Sequence, residues 1–313
     1  MAQPVPRIYF NSKLDAAEDW RAALAQHLDA FEFIAGPDCA DPQAIDIALV
    51  YKPPPQGLQV FTALRAVISL SAGINQFDRA RMPPGAVLAR SVDSSLTQQM
   101  VAYAKTAVLR YHRGFHLFER QSREGMWKFE APRMNHETAV GVLGLGALGG
   151  SVAAALAEEG FTVHGWSRSP RTQPGVRTHA GSEGLLAFAA QVDIVVNVLP
   201  LTPETHGILD KKLFAHLKPG TFLVNMGRGG HLVEADLLEA LAEGRIEAAT
   251  LDVTAVEPLP AGHPFWGHPG ILVTPHVAGI TKPATAAPQI AENVRRAMRG
   301  EPLLHQVDAD RAY

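Results

Sequence analysis

The chain has 313 residues, of which 47% are hydrophobic, so it is long enough to form two domains with separate cores. Its formal net charge of −3 gives no electrostatic basis for binding nucleic acid or an anionic membrane. The single cysteine, Cys39, excludes a disulfide within the chain and suits a reducing compartment, and no long apolar segment typical of a secretory signal begins the sequence. We therefore expect a cytoplasmic protein.

The first hundred residues predict a parallel sheet covered on both faces by helices. Apolar runs predict strands at 7–10, 31–35, 45–51 and 67–70, with a helix at 14–28. Open sheets of this kind bind ligands at the carboxyl ends of their strands. The backbone N–H groups that follow the fourth strand are therefore candidates for holding a carboxylate, and they belong to Ala72, Gly73 and Ile74. The alternative is a turn that is merely tight.

A long helical segment follows. Apolar residues recur at helical spacing from Ser95 to Glu119, which predicts one continuous helix. The next segment, as far as His136, is aromatic and irregular and includes Trp127 and Phe129. Its composition suits an arm that packs on a second subunit, and the alternative is a hinge helix followed by a surface loop.

Residues 139–168 predict a dinucleotide-binding unit. A buried strand at 139–143 runs into the sequence GLGALG, and a helix at 151–159 and a second strand at 161–166 follow. The first glycine permits a tight turn, the second lets the backbone approach a pyrophosphate, and the third lets helix and strand pack closely. The helix N-terminus offers N–H groups to the anion. The candidate cofactor contacts are Gly144, Gly146, Ala147, Leu148 and Gly149. The alternative is a glycine-rich turn that only packs a core helix.

The end of the second strand favours NADP(H) over NAD(H). An NAD site usually has an acidic residue there, which binds the ribose 2′-hydroxyl group. This chain has Ser167, Arg168 and Ser169 instead, and Arg171 follows. A guanidinium group can bind a 2′-phosphate through two hydrogen bonds. NAD(H) is the alternative, in which both arginines are solvated loop charges.

Four later strands bring polar residues to one edge of a second sheet. They are predicted at 192–199, 221–225, 248–253 and 271–274, with helices at 233–243 and 285–299. Reduction of a carbonyl group by a nicotinamide needs a proton donor and a group that holds the substrate. His276 can donate the proton because imidazole titrates near neutral pH, and Glu257 can pair with it. Arg228 can bind a carboxylate together with the neighbouring carbonyl oxygen.

Other residue patterns do not indicate a reaction. Among the other histidines, we interpret His231 as structural or solvated and His263 and His268 as surface residues. Clustered cysteines or histidines with metal-ligand spacing are lacking, as is the G-x-S-x-G sequence of a hydrolase nucleophile. We expect no metal.

Five segments resemble the D-isomer-specific 2-hydroxyacid dehydrogenase family. They are GLGALGGSVA, NVLPLTPETHGIL, LVNMGRGGHLVE, LDVTAVEPLP and VTPHVAGIT. Within the family the resemblance is closest to the branch that reduces glyoxylate and hydroxypyruvate, through GWSRS and the tail QVDADRAY. The resemblance implies two Rossmann-like, doubly wound parallel-sheet domains, with a flavodoxin-like substrate domain at 1–99 and 284–313. The NAD(P)-binding domain would then be 100–283, and its residues from about 100 to 136 would form the helix and arm of a homodimer.

The resemblance also implies roles for individual residues. Arg228 would bind the carboxylate and carbonyl group of the substrate, His276 would be the general acid, and Glu257 its partner. Further cofactor contacts would be Leu199, Pro200, Met226, Gly227 and Asp252, the last beside the nicotinamide carboxamide. Substrate contacts would be Tyr51, Lys52, Ala72, Gly73 and Ile74. Tyr51 and Lys52 stand where relatives have Trp-His, so Lys52 could add a positive contact for a more acidic substrate.

The expected reaction is the NADPH-dependent reduction of small 2-oxo acids, glyoxylate to glycolate and hydroxypyruvate to D-glycerate. One alternative is an NAD-linked dehydrogenase of a larger or phosphorylated D-2-hydroxy acid. Another is a nucleotide-sensing scaffold without catalysis, because transcriptional corepressors share this fold.

Overall fold

The protein was analysed as a computed structural model that describes residues 4–36, 39 and 41–308. The end of the tail QVDADRAY, residues 309–313, lies outside the described residues. The chain forms two compact units, which comprise residues 1–96 with 280–313 and residues 97–279. The boundaries expected from the sequence were 99/100 and 283/284.

The elements in chain order are β1 Arg7–Asn11, α1 Ala17–Ala25, β2 Glu32–Ala35, β3 Ile47–Val50, β4 Ala66–Ser69, β5 Val87–Ala89, α2 Ser94–His112, α3 Phe115–Arg123, β6 Ala139–Leu143, α4 Ala147–Glu158, β7 Thr162–Ser167, β8 Val176–Ala180, α5 Gly181–Ala189, β9 Ile194–Asn197, α6 Lys211–His216, β10 Thr221–Asn225, α7 Glu234–Ala242, β11 Ile246–Leu251, β12 Ile271–Val273 and α8 Pro283–Arg299. Short 3₁₀ turns join several of them. No helix in the described part of the chain has the length and hydropathy that crossing a bilayer requires.

Each unit contains one parallel sheet. In the first unit the strand order is β2-β1-β3-β4-β5, which is the flavodoxin-like order 2-1-3-4-5. In the second unit the order is β12-β11-β10-β9-β6-β7-β8. Counted from β6, this is the dinucleotide-binding order 3-2-1-4-5-6 with one further strand at the edge. The predicted fold class of two doubly wound α/β domains is confirmed.

Burial on both faces explains why the inner strands are continuously apolar. Every residue of β3 and β4 is buried, and so is every residue of β6 and β9. In the first unit Trp20 of α1 and Ile290 of α8 pack with the strands in one cluster, while Phe61 belongs to a second cluster.

The predicted single helix at 95–119 is wrong, because α2 ends at His112 and α3 begins at Phe115. Gly114 between them has φ +71°, a left-handed conformation that ends a helix and that glycine adopts at little cost. The helix after the glycine loop begins at Ala147 and not at Ser151. The short strand β5 and the polar edge strand β8 were not predicted, nor were α5 and α6.

Candidate active site

The glycine loop joins β6 to α4 and leaves its backbone open to a ligand. Gly144 has φ +101°, and a Cβ at Gly149 would lie 1.8 Å from the carbonyl oxygen of Gly144, so only glycine allows this close packing. A Cβ at Gly146 would meet no atom of the described chain within 4 Å. Ala147, Leu148 and Gly149 form the first turn of α4, where backbone N–H groups lack partners within the helix. This cradle fits the pyrophosphate of a dinucleotide.

The strand end that selects the nucleotide has arginine and serine side chains. Ser167 ends β7, and its hydroxyl group donates a hydrogen bond to the carbonyl oxygen of Ser169 at 2.8 Å. Arg171 donates to the carbonyl oxygen of Leu145 in the glycine loop at 3.1 Å, so it supports that loop. Arg168 follows Ser167 directly and lies in an exposed position. The segment 167–171 contains no carboxylate that would repel a 2′-phosphate.

The second unit brings together Glu257 and His276. Oε2 of Glu257 lies 2.8 Å from Nδ1 of His276, and its Oε1 accepts a hydrogen bond from the N–H of Thr254 at 3.3 Å. Burial raises the pKa of Glu257, but the hydrogen bond and charge of His276, with a smaller effect from Arg228, lower the pKa below its ordinary value. The predicted pairing of carboxylate and imidazole is therefore present, with the arginine charge close enough to affect it.

Arg228 follows β10 in an extended conformation, with φ −144° and ψ 151°. Its Nη1 donates to the carbonyl oxygen of Gly227 at 2.8 Å. A Cβ at Gly229 would lie 2.0 Å from the carbonyl group of Thr254, so the arginine loop packs directly on the loop that carries Glu257. This packing explains how two residues far apart in sequence reach the same site.

Asp252 holds the loop of His276 in place. Its carboxylate accepts hydrogen bonds from the hydroxyl group of Thr274 at 2.6 Å and from the N–H groups of Val277 at 2.8 Å and Ala278 at 2.9 Å. His276 itself has φ +53°, a conformation that costs a non-glycine residue about 1–3 kcal/mol and often marks functional sites. The role of Asp252 as a cofactor contact stays a prediction, and its hydrogen bonds to the loop of His276 were not predicted from the sequence.

The remaining predicted cofactor contacts also lie at strand ends of the second unit. Leu199 and Pro200 follow β9, and Leu199 packs against the glycine loop, with its Cα 3.2 Å from a Cβ built on Gly144. Met226 and Gly227 follow β10 and are buried. Within the described residues, no group of histidine, cysteine, aspartate and glutamate side chains is arranged to hold a metal ion.

The predicted substrate contacts in the first unit form one connected turn. The carbonyl oxygen of Gly73 accepts hydrogen bonds from the side chains of Ser71 at 2.7 Å and Gln76 at 3.2 Å. Gln76 also donates to the carbonyl oxygen of Tyr51 at 2.9 Å, and so it ties the two predicted substrate loops together. In the described part of the chain, the N–H groups of 72–74 donate to no acceptor. Lys52 is exposed, with its ammonium group 5.9 Å from the centre of the Tyr51 ring.

Some residues of the site were missed by the sequence analysis. His231, interpreted as structural or solvated, is fully buried and accepts a hydrogen bond from the N–H of Arg228 at 3.0 Å. Asn197 and Asn225 are buried polar residues at the ends of β9 and β10. The sequence signal that could have identified Asn197 and Asn225 is a polar residue at the end of an apolar strand.

A family model described as the NAD binding domain of D-isomer specific 2-hydroxyacid dehydrogenases matches residues 106–278. Glyoxylate/hydroxypyruvate reductase A of Serratia proteamaculans is 43% identical over 303 residues, which cover 95% of this chain and 96% of that protein. The protein of the same name from Photorhabdus laumondii is 39% identical over 312 residues, which cover 98% of this chain and 99% of that protein.

Solved structures agree with the sequence matches. A D-isomer specific 2-hydroxyacid dehydrogenase from Xanthobacter autotrophicus, crystallised with NADPH and MES, has a TM-score of 0.96 and 42% identity and covers 99% of this chain and 100% of that chain. An NADPH-dependent glyoxylate/hydroxypyruvate reductase from Sinorhizobium meliloti, crystallised with NADP and sulfate, has a TM-score of 0.87 and 35% identity, with coverage of 97% and 98%.

Proposed function

Because the chain belongs to the D-isomer specific 2-hydroxyacid dehydrogenase family, we propose that it is an NADPH-dependent reductase of small 2-oxo acids. Its substrates are glyoxylate, which is reduced to glycolate, and hydroxypyruvate, which is reduced to D-glycerate. Relatives that are 39–43% identical over nearly the whole chain carry these substrates in their names. The two similar structures crystallised with NADPH or NADP, together with the arginine and serine side chains at 167–171, support the cofactor.

The observation that carries the proposal is the contact of 2.8 Å between Oε2 of Glu257 and Nδ1 of His276. Glu257 accepts a hydrogen bond from the N–H group of Nδ1, which fixes the ring and leaves Nε2 to hold the proton that passes to the carbonyl oxygen. Arg228 binds the carboxylate and the carbonyl oxygen of the substrate and stays charged throughout. Bound at the glycine loop, NADPH supplies the hydride.

We propose the first unit as the substrate domain and the second as the NADP(H)-binding domain. In the first unit the N–H groups of Ala72, Gly73 and Ile74 bind the substrate carboxylate, and the Tyr51–Lys52 segment also contacts the substrate. In the second, the glycine loop holds the pyrophosphate, Ser167, Arg168 and Ser169 the 2′-phosphate, and Leu199, Pro200, Met226, Gly227 and Asp252 the nicotinamide half.

The test follows NADPH oxidation with glyoxylate, with hydroxypyruvate and without an acceptor, and repeats each assay with NADH. We expect oxidation only with an acceptor and faster oxidation with NADPH. His276→Gln should abolish it, whereas the matched change His268→Gln outside the pair should not. Activity confined to NADH and larger or phosphorylated acids would indicate the NAD-linked alternative. Cofactor binding without turnover of any 2-oxo acid would indicate a nucleotide-sensing scaffold.

The proposed enzyme is a cytoplasmic homodimer whose interface is formed by α2 and the arm that follows it, about residues 100–136. In a single chain, large apolar side chains of the arm are exposed to water: Trp127 is 101% exposed, Phe129 81% and Met134 63%. A second copy of this chain is the partner that buries them. Light scattering should give twice the chain mass, and Trp127→Ser with Phe129→Ser should give the chain mass. A wild-type monomer would contradict the dimer.

A further inference from the structure

The backbone of Arg228 is held on both sides by buried side chains. Its N–H donates to Nδ1 of His231 at 3.0 Å, and its carbonyl oxygen accepts from Nδ2 of Asn225 at 3.2 Å. The same carbonyl oxygen accepts the N–H of His231 at 3.2 Å. The direction in which the guanidinium group leaves the loop is therefore set by groups that do not face the substrate themselves.

Asn197 of the neighbouring strand completes this network. Its Oδ1 accepts the N–H of Leu199 at 3.2 Å, so its amide nitrogen faces the other partners. That nitrogen lies 2.9 Å from Oδ1 of Asn225 and 3.0 Å from Nδ1 of His231. The side chains of Asn197, Asn225 and His231 are all 0% exposed. Two strand ends and the arginine loop are thus joined by hydrogen bonds that water does not reach.

The two donors also fix the tautomer of His231. Nδ1 accepts hydrogen bonds from the backbone N–H of Arg228 and from the side-chain amide of Asn197, so it carries no proton. The proton of the neutral ring is therefore on Nε2. Burial lowers the pKa of His231, which favours the neutral ring.

Gly227 makes room for this arrangement. A Cβ at this position would lie 2.9 Å from Nδ2 of Asn197 and 3.1 Å from Nδ1 of His231. Contacts this short would push the two partners apart, so a residue with a side chain at 227 is incompatible with the network in its present form.

We propose that His231, supported by Asn197, is a positioning residue that fixes the backbone of Arg228 and so sets the affinity for the carboxylate of the 2-oxo acid. It does not touch the substrate. The inference rests on the proposed function where it names a 2-oxo acid as the ligand. The part that concerns the fixed backbone of Arg228 rests on the hydrogen bonds alone.

The test compares His231→Leu, which removes the acceptor, with His231→Asn, whose side-chain oxygen takes the place of Nδ1. His216→Leu is the matched control, since His216 is exposed on α6 and bonds only the carbonyl oxygen of Lys212 among the described residues. We expect KM for glyoxylate to rise about tenfold in His231→Leu, as expected for one lost buried hydrogen bond, with KM for NADPH unchanged. His231→Asn should restore most of the affinity. Asn197→Ala, which removes the other partner of Nδ1, should repeat the loss if His231→Leu fails to fold.

A double variant separates positioning from a direct role. If His231 acts through Arg228, His231→Leu should cause no further loss of kcat/KM in an Arg228→Ala background. A full additional loss there, or an unchanged KM in both His231→Leu and Asn197→Ala, would overturn the inference while leaving the proposed function intact.

Hydrogen exchange gives a readout that does not need activity. The amide of Arg228 should exchange faster in His231→Leu than in the wild type, and at nearly the wild-type rate in His231→Asn. If the wild type reduces no 2-oxo acid, the proposed function fails, and the exchange rates alone decide the inference. Equal exchange in all three proteins would contradict it.

Discussion

The hydroxyl group of Thr274 donates a hydrogen bond of 2.6 Å to Oδ1 of Asp252, and this bond anchors the loop that carries His276. Since Thr274 uses its proton here, the hydroxyl of Tyr103 on α2 is the donor in its own contact of 2.6 Å with Thr274. Burial raises the pKa of Tyr103 well above its ordinary value, so it keeps the proton it donates. Helix α2 is thereby connected to the loop that carries His276, the proposed proton donor of the reaction.

Asp252→Asn should lower kcat/KM for glyoxylate by at least about tenfold, because charged hydrogen bonds are worth about 1.5–3 kcal/mol each. The amide nitrogen of asparagine would face a backbone N–H group whose hydrogen bond the carboxylate now accepts. Thr274→Val and Tyr103→Phe test the loop without touching the carboxylate, and each should lower kcat while leaving KM for NADPH unchanged. If only Asp252→Asn has an effect, Asp252 acts through the cofactor rather than through the loop.

Arg228→Ala should raise KM for glyoxylate and lower kcat together, with a loss in kcat/KM of about 100-fold or more, because the guanidinium group binds the carboxylate in the ground state and stabilises the charge that develops on the carbonyl oxygen in the transition state. Steady-state kinetics measure both constants. Arg177→Ala, in an exposed position on β8, is the control and should have no effect. Wild-type constants in Arg228→Ala would remove this residue from the site.

The lowered pKa of Glu257 predicts how the rate of reduction depends on pH. Because its pKa in the folded protein lies below its ordinary value, its pairing with His276 is present above that ordinary value and is lost only as pH falls through the lowered pKa. The rate should therefore fall on the acid side, as pH drops through this lowered pKa, because a protonated Glu257 no longer accepts the hydrogen bond from His276 as a carboxylate. In Glu257→Gln, whose side chain does not ionise, this fall should be absent from the profile of kcat/KM, measured from about pH 3 to 8. Coincident profiles would count against the pair.

The cofactor preference depends on the end of β7. Ser167→Asp with Arg168→Ala should reduce the ratio of kcat/KM with NADPH to kcat/KM with NADH by about tenfold or more. A carboxylate at this position accepts a hydrogen bond from the ribose 2′-hydroxyl group of NADH and repels the 2′-phosphate of NADPH. Arg171→Ala is the comparison. Since Arg171 bonds the carbonyl oxygen of Leu145, its loss should weaken both cofactors alike. An unchanged ratio in the double variant would refute the assignment.

His164 makes the second unit sensitive to acid. Burial, with the neighbouring His179 at 3.0 Å, lowers the pKa of His164 to about 4. The unfolded chain therefore takes up the proton first, and stability falls as pH drops from about 6.5 to 4, by about 3 kcal/mol in total. His164→Asn should remove this part of the decline in Tm, while His216→Asn should not. A decline in His164→Asn equal to that of the wild type would contradict the prediction.

The dinucleotide unit was predicted closely because its signal is local. Strand, glycines, helix and second strand lie within 139–168, and the close packing of Gly149 on the carbonyl oxygen of Gly144 is a contact between near neighbours in sequence. Boundaries were less accurate where a helix could start inside the loop, as α4 does at Ala147. Short or polar edge strands such as β5 and β8 bury too little to show an apolar pattern.

The sequence by itself determined the fold class and the nucleotide type, and it predicted Arg228, Glu257 and His276 as the reacting groups, because these follow from strand patterns and from residue chemistry at strand ends. Only the tertiary structure decided how these groups are held. The hydrogen bonds between Asp252 and the 274–278 loop and between His231 and Arg228 span 2.6 to 3.0 Å. Such distances are set by the register of neighbouring parallel strands and the packing of their loops, and neither is encoded in any local stretch of sequence.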